Sequence, residues 1–221
     1  MMTLVSLVLV AFLAFCQYRA LFVVPPDQMM GDVYRILFVH VPAAWSTMIL
    51  FFLSFIGSLV YLIRRHERWD RLAHSAAELG VVFNGLALLL GSLWGKPIWG
   101  VWWTWDPRLT TTALLFVMYA GYLILRTLIE DPERRAKLAA SVGLLIFLNV
   151  PIVYLSVKWW RSLHQVQSTP NTMDPAMATV LRTNALALLA VAILFLFIRM
   201  RLAKREELLE DREAVPPGTS A

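Results

Sequence analysis

Two of the four histidines stand where a metal or a planar ligand would need them. His40 lies just before Val41-Pro42, at the entrance to a long apolar run, and His164 follows another such run in KWWRSLHQ. A neutral imidazole offers one ring nitrogen as a ligand while the other donates a hydrogen bond. Two imidazoles from separate segments can therefore hold one iron from opposite faces of a porphyrin. A lone histidine beside a membrane more often bonds a backbone carbonyl, and the residue types leave both readings open. His66 and His74, in RRHERWDRLAH, match no metal-ligand spacing and read as solvated surface groups.

Between the informative pair comes WGKPIWGVWWTWDPRLT. Trp94, Trp99, Trp102, Trp103 and Trp105 put five of the nine tryptophans within twelve positions, and Trp159 and Trp160 come shortly before His164. An interfacial belt of tryptophans is one reading. Gly95, Pro97, Gly100 and Pro107 instead predict a broken segment with broad indole faces laid along the membrane surface as an apolar platform. Such faces exclude water and give dispersion contact to a large planar ligand. Arg108 and Lys96 stand ready for acidic groups at its edge, and an Arg fork suits a carboxylate best. Asp106 has a second expected role, capping the helix that begins near Pro107.

Several chemistries are excluded. GSLWGKP, residues 91–97, has three residues between its glycines where a phosphate loop needs four, and Pro97 follows the lysine in place of Ser or Thr. No CxxCH is present for covalent attachment of a haem to this chain, and no motif supports a Ser–His hydrolase. Cys16 is the single cysteine, so no internal disulfide forms. It reads as a small apolar residue inside a helix.

These groups must be positioned by a membrane scaffold. Of 221 residues, 59% are hydrophobic, against about half in soluble domains, and the mean hydropathy is +0.64. Apolar runs predict an all-α, polytopic fold with six transmembrane helices near 3–24, 41–63, 79–95, 111–128, 139–157 and 178–198. The first carries no Lys or Arg in residues 1–10 and reads as a retained span, not a cleavable signal. Thirteen of the 20 Lys and Arg residues fall on one side, which the positive-inside rule makes the cytoplasmic side, with both termini. The net charge of +5 thus orients spans, and nucleic acid is excluded as a partner. Segments 25–40, 94–110 and 158–177 face outward, and 64–78 and 129–138 are short charged inner loops. Residues 1–203 read as the membrane domain and 204–221 as a cytoplasmic tail. In that tail 203–213 suits a mixed-charge helix, and Val215-Pro216-Pro217-Gly218 suits a disordered end.

WGVWWTWDPRLT, residues 99–110, resembles the signature of the tryptophan-rich haem-handling family of cytochrome c assembly proteins. YRILFVHVPAAW (34–45) and NVPIVYLSVKWWRSLHQ (149–165) are similar to stretches of one branch, the cytochrome c maturation protein C family (CcmC, haem exporter protein C). The resemblance implies a non-enzymatic role in the bacterial inner membrane. Haem b would be held transiently and non-covalently at the external face and passed to the haem chaperone CcmE. The partners implied are the ABC-transporter proteins CcmA and CcmB and the small protein CcmD. By position, His40 and His164 match the family's two axial haem ligands. Trp99, Trp102, Trp103, Trp105, Asp106, Pro107 and Arg108 match its signature. Arg35, five residues before His40, is a candidate propionate partner alongside Arg108.

Two other classes compete. A small permease or channel subunit would bind no haem and would line a central path with polar residues, whereas the interior polar set is sparse, mainly Asn84, Asn149 and Asn184. A b-type electron carrier would need about four histidines within spans, and only one outer pair exists.

Overall fold

The computed structural model describes residues 2–164 and 173–214, and among these the regular elements are all helical. Helix α1 (Met2–Tyr18) runs on through a π turn at Arg19–Val23, and a 3-10 turn at Asp32–Ile36 leads into α2 (Leu37–Arg64). Then follow α3 (Glu67–Trp99), α4 (Pro107–Thr127), α5 (Pro132–Phe147), α6 (Asn149–Trp159) and α7 (Pro175–Ala214). Six stretches are long and apolar enough to cross a membrane: Thr3–Val23, Asp32–Arg64, Glu67–Trp99, Pro107–Thr127, Pro132–Trp159 and Pro175–Leu209. The chain is a multi-pass membrane protein, and helices are its solution because backbone groups in lipid must bond within their own segment.

Helices α2 and α3 form the central antiparallel pair. Small residues let them approach: Ala43 on α2 and Ala73, Ala76 and Ala77 on α3 are all buried. On one flank, Leu50, Phe83 and Ala87 pack against Leu188, Ala192 and Leu196 of α7. On the other, Phe51 stacks on Tyr119 of α4 with ring centres 3.7 Å apart, and Leu115, Ile146 and Val153 close the core around them. Helix α1 lies outermost against α7, where Gln17 Nε2 donates to Asn184 Oδ1 at 2.8 Å.

Three expectations from hydropathy need correction. The segment 64–78 is not a loop: α3 starts at Glu67, and only Arg65 (φ 53°) and His66 join it to α2. Several of its charged residues are paired. Both terminal nitrogens of Arg126 donate to the carboxylate of Asp70, at 2.7 and 2.6 Å. Arg199 Nε reaches Glu78 at 2.8 Å, and Arg71 pairs with Glu207. His74 sits half-buried 3.4 Å from Glu78, so it is no solvated surface group. His66 is exposed, and it caps α3 by accepting from Arg68 N at 3.3 Å.

Likewise, α5 begins at Pro132, directly after its capping residue Asp131, so the connection after α4 is shorter than 129–138. The fifth span is two helices broken at Leu148, because Pro151 lacks a donor and its ring would collide with the Phe147 carbonyl of a continuous helix. Residues 203–213 are helical as an unbroken continuation of α7, with Glu206 paired to Arg199. The expected disordered end at 215–218 lies outside the described residues.

Helix directions bring the start of α2, the end of α3, the start of α4 and the end of α6 to one face of the bundle. His40, Trp99, Arg108 and His164 belong to those four ends.

Candidate functional site

His40, in YRILFVHVPAAW, lies within the first turn of α2, and its ring packs on α3. Its Nδ1 lies 2.9 Å from the carbonyl oxygen of Ala87. A carbonyl only accepts, so Nδ1 carries the proton and Nε2 is left with a lone pair, the tautomer a metal ligand requires. One turn along α3, a Cβ at Gly91 would stand 3.0 Å from His40 Cε1. Glycine gives the imidazole its space.

His164 arrives from 124 residues away in sequence, on the turn after α6. Its ring centre is 6.3 Å from that of His40, with the planes 34° apart. Two metal–imidazole bonds of about 2.0 Å each, plus about 1.1 Å from nitrogen to ring centre on each side, span roughly the same distance. Trp99 stands edge-on to the His164 ring, with centres 6.3 Å apart.

The two imidazoles open on a common, largely apolar cavity walled by α2, α3, α4 and α6. Its lining includes Trp45, Asn84, Gly91, Trp94, Trp99, Trp103, Arg108 and Tyr154. Two buried polar atoms in this wall, Asn84 Oδ1 and Trp94 Nε1, have no hydrogen-bond partner among the described residues. The cavity thus combines apolar walls, a paired nitrogen-donor set and a cation at one side.

The tryptophan segment differs from the expected platform. Helix α3 runs unbroken through Gly95 and Pro97 to Trp99. Pro97 falls in the last turn, where it removes only one helical bond, and Gly100 (φ 78°) then ends the helix in a left-handed conformation suited to glycine. Only 100–106 is irregular. The rings do not form a flat shelf: Trp94 and Trp99 meet edge-to-face at 5.1 Å, as do Trp103 and Trp105 at 5.9 Å. Trp94, Trp99 and Trp103 line the cavity, whereas Trp102 is exposed and Trp105 is 82% exposed. Lys96 bonds the Gly100 carbonyl at 3.0 Å and lies 6.0 Å from the Trp102 ring centre.

Asp106 caps α4 as its position before Pro107 suggested, accepting from Arg108 N at 2.9 Å. It also reaches the loop of His164. Asp106 Oδ1 accepts from Ser162 Oγ at 3.1 Å and Oδ2 from Leu163 N at 2.7 Å, while His164 N donates to Ser162 Oγ at 3.0 Å. Arg108 lines the cavity, with Nη2 3.5 Å from the Tyr154 carbonyl. Arg35 is turned elsewhere: it donates to Asp32 at 2.8 Å and to the Ala20 carbonyl at 2.9 Å, and it is not among the lining residues.

The family described as CcmC: Heme exporter protein C matches residues 1–216. The chain is 41% identical to the Heme exporter protein C of Bradyrhizobium diazoefficiens over 191 residues, spanning 85% of this chain and 72% of that protein. It is 34% identical to the protein of that name from Escherichia coli K12 over 178 residues, 80% of this chain and 73% of that one. With its Rhodobacter capsulatus namesake it shares 35% identity over 200 residues, 87% and 83% of the two chains. This chain belongs to the Heme exporter protein C family.

In this member of the Heme exporter protein C family, sequence reasoning named Trp94 for the ligand platform but missed Leu88 and Gly91 as cavity wall and gave Asn84 no part in it. Asn84, Leu88, Gly91 and Trp94 recur along one face of α3 at helical spacing. That periodicity was available in the sequence, but hydropathy counts all apolar residues alike and gives no hint of which face meets a ligand.

Proposed function

We propose that this protein handles haem during cytochrome c maturation, holding haem b non-covalently between His40 and His164 and presenting it to the haem chaperone CcmE. The observation that carries the reading is the 6.3 Å separation of the two imidazole centres, the spacing of a pair of axial ligands. Family membership independently favours haem as the cargo. Haem iron takes neutral imidazole well, and the Ala87 carbonyl keeps His40 in the ligating tautomer.

Each remaining group has a share in this reading. Trp94, Trp99 and Trp103 supply apolar walls and exclude water. Arg108 neutralises propionate. Arg35, committed to Asp32 and the end of α1, holds the entrance of α2 in place as its first task. Trp102 and Trp105, on the exposed rim, offer the contact surface for the chaperone. The bond-making residue of the next step belongs to the chaperone, so the present chain acts as a holder and not as an enzyme. The excess of Lys and Arg at the opposite end favours an external site on the inner membrane with both termini in the cytoplasm. Residues 1–203 form the haem-handling unit, working with CcmA, CcmB and CcmD.

The test is transfer itself. Purified protein loaded with haem is mixed with the apo chaperone, and chaperone-bound haem is followed over time. His40→Ala and His164→Ala should each lose retained haem and deliver little. Unaltered retention and delivery by both variants would remove the assignment.

A further inference from the structure

We propose that Asp106, the acidic residue of the tryptophan-rich signature, is a positioning residue for His164 and does not touch the ligand. The proposal rests on the reading of His164 as an iron ligand. Asp106 is 6% exposed, and its two oxygens are both engaged by the chain. Oδ1 takes the Arg108 amide at 2.9 Å and the Ser162 hydroxyl at 3.1 Å, and Oδ2 takes the Leu163 amide at 2.7 Å. Ser162 passes the connection on, since its Oγ accepts from the His164 amide at 3.0 Å while its own proton goes to the carboxylate.

The logic of this arrangement is electrostatic as well as geometric. A free carboxylate beside the cavity would repel the propionates of an anionic ligand. Here its charge is taken up by two backbone amides and a hydroxyl, bonds that an ionised acceptor makes strongly. Asp106 is absent from the lining of the cavity that holds both imidazoles. The stretch from α6 to His164 has no regular structure after Trp159, so something other than a helix must fix the imidazole. The clasp supplies that constraint. It also joins the irregular segment 100–106 to the histidine loop, so displacement of one carries the other.

A merely structural aspartate and a ligand-contacting one make different predictions from this. Purified wild type, Asp106→Ala, Asp106→Asn, Ser162→Ala and His164→Ala are each titrated with hemin, and spin state is read by absorption with and without added imidazole. Asp106→Ala should bind hemin with the high-spin spectrum of His164→Ala, and imidazole should restore the low-spin spectrum in both. Asp106→Asn and Ser162→Ala, which keep part of the clasp, should give mixed spectra. The ligated-to-unligated ratio should drop roughly ten- to a hundredfold, the worth of one charge-assisted hydrogen bond. A wild-type spectrum in Asp106→Ala beside an altered His164→Ala overturns the proposal and spares the ligand assignment. An unchanged His164→Ala removes the ligand assignment itself. Loss of hemin from Asp106→Ala that imidazole does not repair, with hemin retained by His164→Ala, makes Asp106 a ligand contact and also overturns the proposal. Should Asp106→Ala fail to fold, a wild-type spectrum in Ser162→Ala overturns it.

Discussion

His40 and Ala87 are joined across α2 and α3 by a 2.9 Å hydrogen bond from the imidazole Nδ1 to the backbone carbonyl. That bond sets the tautomer and the plane of the ring, and it requires α3 to come close. The close approach is possible because Gly91 has no side chain. Gly91→Ala should tilt the ring and raise the high-spin fraction of bound haem, and Gly91→Val should do so more strongly, at an overpacking cost of about 1–3 kcal/mol. Absorption spectra with thermal unfolding in detergent check both effects. A wild-type spectrum in Gly91→Val contradicts the packing argument.

In the proposed function Arg108 serves charge and not the iron. Replacing it with Ala should weaken haem retention roughly tenfold or more, the loss of one charge-assisted hydrogen bond. The bis-imidazole spectrum of whatever haem remains should not change. Arg108→Lys keeps the charge but not the fork, so its retention should fall between the two. Dissociation rates into excess apomyoglobin provide the measurement.

The tryptophans should separate into two classes. Trp99 and Trp103 line the cavity, so Ala substitution there should reduce retention. Trp105 projects outward, so Trp105→Ala should leave haem content and spectrum intact while slowing delivery to the chaperone. Equal loss of retention in all three variants would contradict the division.

At the other end of the bundle, Asp70 and Arg126 form a two-point ion pair with little exposure. Removing one partner leaves an uncompensated charge among packed helices, which costs about 3–5 kcal/mol. Asp70→Asn should therefore lower the unfolding temperature in detergent sharply. Haem retained by the folded fraction should show an unaltered spectrum, because the pair lies at the far end of α3 from the imidazoles.

What could be read in the sequence follows from which interactions are local. The spans were legible because apolar runs are contiguous, and His40 and His164 because each borders such a run. The α4 cap was legible too, since Asp106 and Pro107 are neighbours. The clasp from Asp106 to Leu163 joins residues 57 apart, and the Asp70–Arg126 pair joins residues 56 apart. Nothing local announces either. Hydropathy also placed the start of α3 near residue 79, some three turns late, because charged residues satisfied by partners on other helices look like loop. The tryptophan segment misled in the opposite sense. Gly95 and Pro97 suggested a break, but a helix near its end has few bonds left to lose.

The ligand set of the iron is the most direct test of the whole account. X-ray absorption at the iron edge counts imidazoles on haem bound to the purified protein. Two should be found in wild type, and one in each of His40→Ala and His164→Ala. Two imidazoles persisting in both single variants would contradict the assignment of this pair.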